Sequence, residues 1–104
     1  MSMNQAILVV DDDPQIVALL RSYLEKATYR VHTASDGKTA LHILRRERPD
    51  LLLLDLMLPE RDGWELTRLI RADEHLRSTP IIHITARIED TDKIVGLELG
   101  ADDY

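Results

Sequence analysis

The chain has 104 residues, a formal net charge of −6 and no cysteine. Its length suits one domain with a single hydrophobic core, and its 44% hydrophobic and 31% charged residues are typical of a globular protein rather than a disordered one. The acidic balance argues against nucleic-acid binding by this domain, because phosphate contacts need clustered Lys and Arg, and the lack of cysteine excludes disulfides and thiolate-ligated zinc.

The first predicted element is a strand over residues 6–10, an uninterrupted apolar run that stops at Asp11, Asp12 and Asp13. A run without alternation is typical of a strand buried on both faces of a sheet. Asp13 and Pro14 then supply an N-cap and a first helical residue. The helix that follows has an apolar stripe at Ile16, Leu20, Tyr23, Leu24 and Ala27.

Residues 30–34 predict a second, shorter strand, and Ser35 or Asp36 is placed to cap a helix that ends near Pro49. The apolar positions of this helix are Ala40, Leu41, Ile43 and Leu44.

The third strand is a run of four leucines, residues 51–54, which stops at Asp55. Leucine by itself is compatible with a helix as well as a strand. A run this short between Pro49 and Pro59 favours a strand. A third helix begins at residues 62–63. We expect Leu66, Leu69 and Ile70 to share one face of it, and Trp64 to pack locally.

A fourth strand over residues 81–84 ends at Thr85, and a fourth helix fits residues 89–99 with Gly100 just after it. His83 lies within this strand, where we expect a buried histidine with a satisfied hydrogen bond rather than a relay or a ligand.

Strands that alternate with helices predict a parallel sheet covered on both faces. Ligands of such sheets bind beyond the carboxyl ends of the strands, and the polar residues Asp11, Asp12, Asp55 and Thr85 all fall at those ends. If the first and third strands are adjacent, two of these carboxylates lie about 5 Å apart and repel by about 3 kcal/mol at an effective dielectric of about 20. The fold must then protonate one of them or bind a cation.

An all-oxygen site of this kind suits a hard ion such as Mg²⁺. A carboxylate beside such an ion is able to attack a phosphoryl group and form an aspartyl phosphate, and the Thr85 hydroxyl could hydrogen-bond one of the transferred oxygens. The residues at the strand ends therefore predict metal-assisted phosphoryl transfer.

Four segments in order resemble response-regulator receiver domains. They are residues 7–14 (ILVVDDDP), residues 52–59 (LLLDLMLP) with Asp62-Gly63, residues 81–86 (IIHITA) and residues 96–104 (GLELGADDY). The resemblance extends over essentially the whole chain, and residues 56–59 (LMLP) and 99–104 (LGADDY) look most like the winged-helix, OmpR/PhoB-type subfamily. The resemblance implies a flavodoxin-like, doubly wound parallel sheet of strand order 2-1-3-4.

Carried over residue by residue, the resemblance makes Asp55 the phosphoacceptor and Thr85 the switch hydroxyl. Asp12 would bind Mg²⁺, or Mn²⁺ in its place, directly, and Asp11 would act through a water molecule. Met57 would contribute its backbone carbonyl. The resemblance gives Asp13 no such role, and we assign it to helix capping.

The same resemblance implies a signalling domain that assists its own phosphoryl transfer rather than an enzyme. A sensor histidine kinase would be its partner, a homodimer could form through the fourth-helix face, and a parent protein could bind DNA. The first residues carry no basic or apolar targeting region, and no apolar run approaches the roughly 20 residues needed to span a bilayer. We expect a cytoplasmic domain without membrane contact.

Compared with the family, residues 1–104 are expected to be one receiver domain that is incomplete at its carboxyl end, with no second domain. The segments expected to be missing are the fifth strand, the Lys-Pro turn and the fifth helix. We expect such a chain to keep the acidic site and to switch poorly.

Two other functions fit parts of the sequence. A haloacid-dehalogenase-like phosphohydrolase would use Asp11 as nucleophile with Asp13 two residues on, and Thr85, Lys93 and Asp102-Asp103 in later roles. It would leave Asp55 without a function. A receiver-like interaction module that is not phosphorylated would share the fold, but such modules usually lose the acidic pair or the acceptor.

Overall fold

The computed structural model describes residues 5–56, 58 and 62–84. The strands are β1 (Ala6–Val10), β2 (Arg30–Ala34), β3 (Leu51–Asp55) and β4 (Ile81–Ile84), and the helices are α1 (Pro14–Lys26), α2 (Gly37–Glu47) and α3 (Asp62–Ala72). The seven predicted elements within this range are confirmed. The predicted fourth helix over residues 89–99, with Gly100, lies outside the described residues. Within the described part of the chain, no helix has the length and apolar character to cross a membrane.

The four strands form one parallel sheet in the order β2-β1-β3-β4. This is the flavodoxin-like, doubly wound order 2-1-3-4 that the resemblance implied. It places β1 and β3 side by side, with Val10 opposite Leu54. The carboxyl ends of these two strands therefore meet at the same edge of the sheet, as a site made of Asp11, Asp12 and Asp55 requires.

The hydrophobic core lies between one face of the sheet and the helices α2 and α3. Its members are Leu8, Val10, Ala34, Ala40, Leu44, Leu52, Leu54, Leu58, Leu66, Ile70, Leu76 and Ile81. The alternate residues of each strand supply this face, since side chains in a strand point to opposite sides of the sheet. Each fully buried leucine contributes about 1.5–3 kcal/mol, so this layer fixes the strand register that brings the aspartates together.

Helix α1 is capped as predicted but is less buried than its apolar stripe suggested. The Asp13 carboxylate accepts a hydrogen bond from the backbone N–H of Gln15 at 2.9 Å, and Pro14 is the first helical residue. No side chain of this helix is buried within the described part of the protein. Ile16 and Tyr23, which we placed on the stripe, are 38% and 65% exposed.

Helix α2 begins after Asp36 rather than Ser35, which decides between the two predicted caps. The Asp36 carboxylate accepts a hydrogen bond from the backbone N–H of Thr39 at 2.7 Å. That bond holds the pKa of Asp36 below its ordinary value. The helix ends at Glu47, Arg48 caps it with a left-handed φ of 48°, and Pro49 follows.

Helix α3 buries Leu66 and Ile70, two of the three residues that the sequence placed on one face, but not Leu69. Its buried residues are Gly63, Leu66, Thr67 and Ile70, a spacing of i, i+3, i+4 and i+7. Leu69, which we placed on the buried face, is 46% exposed. The prediction is therefore confirmed for Leu66 and Ile70 and wrong for Leu69, since Thr67 completes the buried face instead.

Candidate metal centre

Three carboxylates meet at the carboxyl ends of β1 and β3. Asp55 is the last residue of β3, and Asp11 and Asp12 directly follow β1. Each of the three offers a carboxylate oxygen, and these oxygens lie within 4.8 Å of one another. Asp11 and Asp55 are only 7% and 8% exposed, whereas Asp12 faces solvent. The structure thus brings together the three aspartates that the sequence selected.

Backbone hydrogen bonds fix the start of this cluster. The Asp11 N–H donates to the Ala34 carbonyl at 3.1 Å, which extends the pairing of β1 with β2 by one residue. The Asp11 carboxylate accepts from the Asp13 N–H at 2.9 Å and is thereby turned away from solvent. Asp13 uses its own carboxylate to cap α1, which confirms its predicted structural role.

Burial raises the pKa of Asp11 above its ordinary value, and the negative charges of Asp12 and Asp13 act in the same direction. The hydrogen bond from the Asp13 N–H and one with the Asp55 carboxylate partly oppose this shift in pKa. Negative charge at this edge of the sheet is therefore costly, and a bound cation would relieve it. A set of carboxylate oxygens this close together fits Mg²⁺ or Mn²⁺, which prefer oxygen ligands.

Two predicted site residues, Met57 and Thr85, lie outside the described residues. Their roles as a carbonyl ligand and as a switch hydroxyl stay predictions. Next to them, the pairing of the strands is regular: the Leu56 N–H donates to the Ile84 carbonyl at 3.2 Å, and Asp55 lies opposite Ile84.

A contact that the sequence did not reveal lies beneath Asp55. A Cβ atom on Gly63 would come within 2.5 Å of the Asp55 carbonyl oxygen and 3.0 Å of Leu56 Cα. Only glycine allows the first turn of α3 to approach β3 this closely. The glycine was visible in the sequence as a helix-opening residue, but its contact with β3 depends on packing between two elements and is not apparent from the sequence of either one.

A buried polar cluster joins the same helix to β4. His83 and Thr67 are both 0% exposed, and the His83 Nε2 and Thr67 Oγ1 atoms lie 2.9 Å apart. Trp64 packs edge-on against the His83 ring, with 6.1 Å between ring centroids. The predicted buried, hydrogen-bonded histidine is thus confirmed, whereas Trp64, which we expected to pack locally, contacts a ring of β4.

Burial lowers the pKa of His83 to about 4, and the positive charge of Arg71 acts in the same direction. In the unfolded chain a histidine titrates near 6.5. Between these values the unfolded state binds a proton that the native state does not. This contribution to stability is therefore complete at neutral pH and is lost as the pH falls from about 6.5 towards about 4.

We expect the free energy of unfolding to fall by about 2 kcal/mol between pH 7 and pH 5 on account of His83 alone. Urea unfolding of the metal-free protein at both pH values, compared with the same measurement on His83→Met, checks this expectation. The other three histidines are present in both proteins, so the difference in pH dependence isolates His83. An equal fall in the two proteins would contradict it.

Comparison with known proteins gives a consistent picture. The profile described as "Response regulator receiver domain" matches residues 7–104. The alkaline phosphatase synthesis transcriptional regulatory protein PhoP of Bacillus subtilis is 51% identical over 102 residues, which are 98% of this chain and 42% of PhoP. The transcriptional regulatory protein GltR of Pseudomonas aeruginosa is 46% identical over 105 residues, covering 100% of this chain and 43% of GltR. The chain thus spans about two fifths of the length of these curated relatives.

Solved structures agree with the fold. A protein described as a response regulator from Chloroflexus aurantiacus superposes with a TM-score of 0.93 at 35% identity, over 98% of this chain and 84% of that one. The BeF₃-activated receiver domain of Klebsiella pneumoniae RstA gives 0.87 at 39% identity, over 95% and 82%. The Mn²⁺-bound response regulator Rcp1 gives 0.84 at 29% identity, over 96% and 78%.

Proposed function

The chain belongs to the response regulator receiver domain family of two-component signalling, and we propose that it accepts a phosphoryl group on the Asp55 carboxylate. The observation that carries this proposal is the meeting of the Asp55 carboxylate with those of Asp11 and Asp12 within 4.8 Å. Of the three, Asp55 ends a central strand of the sheet, where its backbone pairs with Ile84 of β4 and lies against Gly63 of α3.

The three aspartates would hold the metal ion. We propose that Asp12 and Asp55 bind Mg²⁺ or Mn²⁺ directly, that Asp11 acts through a water molecule, and that the Met57 carbonyl adds a further oxygen. Asp12 is open to a hydrated ion, whereas an oxygen of Asp11 already accepts from the Asp13 N–H, which supports this division. When bound, the ion would neutralise charge on the transferred phosphoryl oxygens. The Mn²⁺ in the related Rcp1 structure supports the choice of ion.

The transfer itself is a displacement at phosphorus. An Asp55 carboxylate oxygen attacks the phosphorus of a phosphohistidine, so that an O–P bond forms as the P–N bond breaks. The imidazole leaves with the electron pair of that bond and keeps the proton on its other nitrogen, so it departs neutral. With acetyl phosphate as donor, acetate is the leaving group. We propose that Thr85 binds a phosphoryl oxygen after transfer.

We further propose a sensor histidine kinase as the phosphoryl donor and transcription as the output of the whole protein. The names of the two curated relatives, both transcriptional regulatory proteins, support this output and the winged-helix subfamily. A cytoplasmic location and a homodimer through the fourth-helix face belong to the same proposal. So does the assignment of residues 1–104 to a single receiver domain.

Mapping the label after incubation with Mg²⁺ and acetyl phosphate tests the proposal. We expect peptide mass spectrometry to find a single phosphoryl group, on Asp55. Label on Asp11 would instead indicate a haloacid-dehalogenase-like hydrolase, and complete absence of label together with absence of Mg²⁺ binding would indicate an interaction module that is not phosphorylated.

Mg²⁺ is expected to stabilise the folded protein, and Asp12→Asn is expected to remove this effect. Because the substitution also removes one of three crowded negative charges, we expect it to stabilise the metal-free protein by about 1 kcal/mol, a value reduced by solvent screening of the exposed Asp12. Thermal unfolding with and without millimolar Mg²⁺ measures both effects.

Asp13→Asn is the matched control for that experiment. Asn caps a helix about as well as Asp, and Asp13 is engaged with the first turn of α1. We expect this variant to keep the Mg²⁺-dependent rise in melting temperature. If Asp12→Asn retained the full rise, Asp12 would not be a metal ligand.

A further inference from the structure

The first turn of α3 lies directly against the backbone of the proposed acceptor. The 2.5 Å between a Cβ built on Gly63 and the Asp55 carbonyl oxygen means that backbone touches backbone there, with no side chain between them. Any movement of this turn is therefore passed to Asp55 without being absorbed by a flexible group. The contacts that hold this turn in place therefore also affect the position of Asp55.

One turn further along α3, Thr67 is hydrogen-bonded to the same glycine. The Thr67 hydroxyl donates to the Gly63 carbonyl at 2.9 Å, within the buried face of the helix. This bond from a threonine to the carbonyl four residues earlier is known to bend helices slightly. It ties the position of Gly63 to the side chain of Thr67.

The direction of the next hydrogen bond follows from chemistry. A threonine hydroxyl has one hydrogen, and a carbonyl is only able to accept, so the hydrogen of Thr67 is used towards Gly63. The His83 Nε2 atom, 2.9 Å from the same hydroxyl, must then carry a hydrogen and donate it. This fixes the tautomer of the neutral ring.

His83 anchors the chain of bonds in the sheet. It lies in β4 directly opposite Leu54 of β3, the residue before Asp55. The bonds therefore run from β4 through His83 and Thr67 to the Gly63 carbonyl, and Gly63 abuts Asp55. All of the side chains in this path are fully buried, so water does not compete for their hydrogen bonds.

We infer that Thr67 and His83 are positioning residues, which hold the first turn of α3 against the Asp55 backbone in the arrangement that phosphoryl transfer needs. This inference rests on the proposed function of Asp55. The two side chains do not touch the carboxylate cluster, so they act through Gly63 and affect how fast Asp55 reacts rather than whether the metal binds.

Phosphorylation by acetyl phosphate in four variants tests this inference: Thr67→Val, Thr67→Ser, His83→Met and the double variant Thr67→Val/His83→Met. For Thr67→Val we expect the maximal rate to fall about tenfold, as a shift of a fraction of an ångström at the nucleophile would cause. The acetyl phosphate and Mg²⁺ concentrations that give half the maximal rate should not change.

Thr67→Ser keeps the hydroxyl, and we expect it to restore a rate within about twofold of the original. His83→Met removes the donor at the other end, and we expect a fall similar to that of Thr67→Val. Since the two residues act as one unit, the double variant should be no slower than either single variant.

A wild-type rate in folded Thr67→Val overturns the inference. A slow Thr67→Val together with a wild-type rate in His83→Met also overturns it, because the link to β4 would then have no effect on the rate. If Thr67→Val does not fold, Thr67→Ser and His83→Met decide by the same criteria. If the unmodified protein takes no label at all, the proposed function fails instead. The positioning role is then decided by hydrogen exchange at residues 55, 56 and 63: faster exchange in His83→Met than in Thr67→Ser supports it, and equal exchange overturns it.

Discussion

Asp55→Asn is expected to abolish labelling by acetyl phosphate while making the metal-free protein more stable. The amide oxygen of Asn carries no negative charge and is a poor nucleophile, so no aspartyl phosphate forms. The same change removes one charge from three carboxylates that lie within 4.8 Å of one another. At an effective dielectric of about 20, each such pair repels by about 3 kcal/mol at about 5 Å, and Asp55 is almost fully buried.

Intact mass after incubation with Mg²⁺ and acetyl phosphate, together with urea unfolding without Mg²⁺, measures both effects. The combination is informative because a variant that is inactive through unfolding would be less stable, not more. We expect a gain of about 1–3 kcal/mol in the free energy of unfolding, with no added phosphoryl mass.

Asp50→Asn is the matched control, because Asp50 lies just before the opposite end of the same strand. Its carboxylate accepts a hydrogen bond from the Ala6 N–H at 2.7 Å, which an Asn oxygen is also able to accept. We expect full labelling of this variant. Undiminished labelling of Asp55→Asn would place the acceptor elsewhere, and loss of label in Asp11→Asn alone would favour the hydrolase.

The sequence predicted the sheet well because a parallel sheet has a simple signature. Its strands are covered on both faces, so residues 6–10 and 51–54 are uninterrupted apolar runs whose ends are marked by aspartates. The ends of these runs marked the candidate site residues, and the strand order that the resemblance to receiver domains implied places Asp11 and Asp55 at one edge. For these strands, the pattern of apolar residues and terminal aspartates along the sequence matches their arrangement in the sheet.

Helix faces were harder to predict, because the periodicity of a helix shows that a stripe exists but not which neighbours will cover it. Leu69 was assigned to the core of α3, and the structure places Thr67 there instead. A threonine at an inner position becomes favourable only through its bonds to His83 and the Gly63 carbonyl, and His83 belongs to another strand. No pattern within residues 62–72 could indicate that partner.

Gly63→Ala is expected to destabilise the protein and slow its phosphorylation together. The added methyl group would lie 2.5 Å from the Asp55 carbonyl oxygen and 3.0 Å from Leu56 Cα. Both are backbone atoms of a buried segment and cannot rotate aside, so α3 and β3 must separate. Overpacking of this kind costs about 1–3 kcal/mol, which exceeds the gain of at most about 1 kcal/mol in helix propensity when Ala replaces Gly.

The separation would also displace the acceptor, and a shift of about 1 Å at a reacting group is able to slow a reaction by about a hundredfold. Urea unfolding and the rate of labelling by acetyl phosphate measure the two effects. The control is Gly37→Ala, the same substitution in the first turn of α2, which reports the general effect of a methyl group at the start of a helix. If Gly63→Ala lost stability but kept its rate, the contact would serve folding alone, and the position of Asp55 would be set by β3 without help from α3.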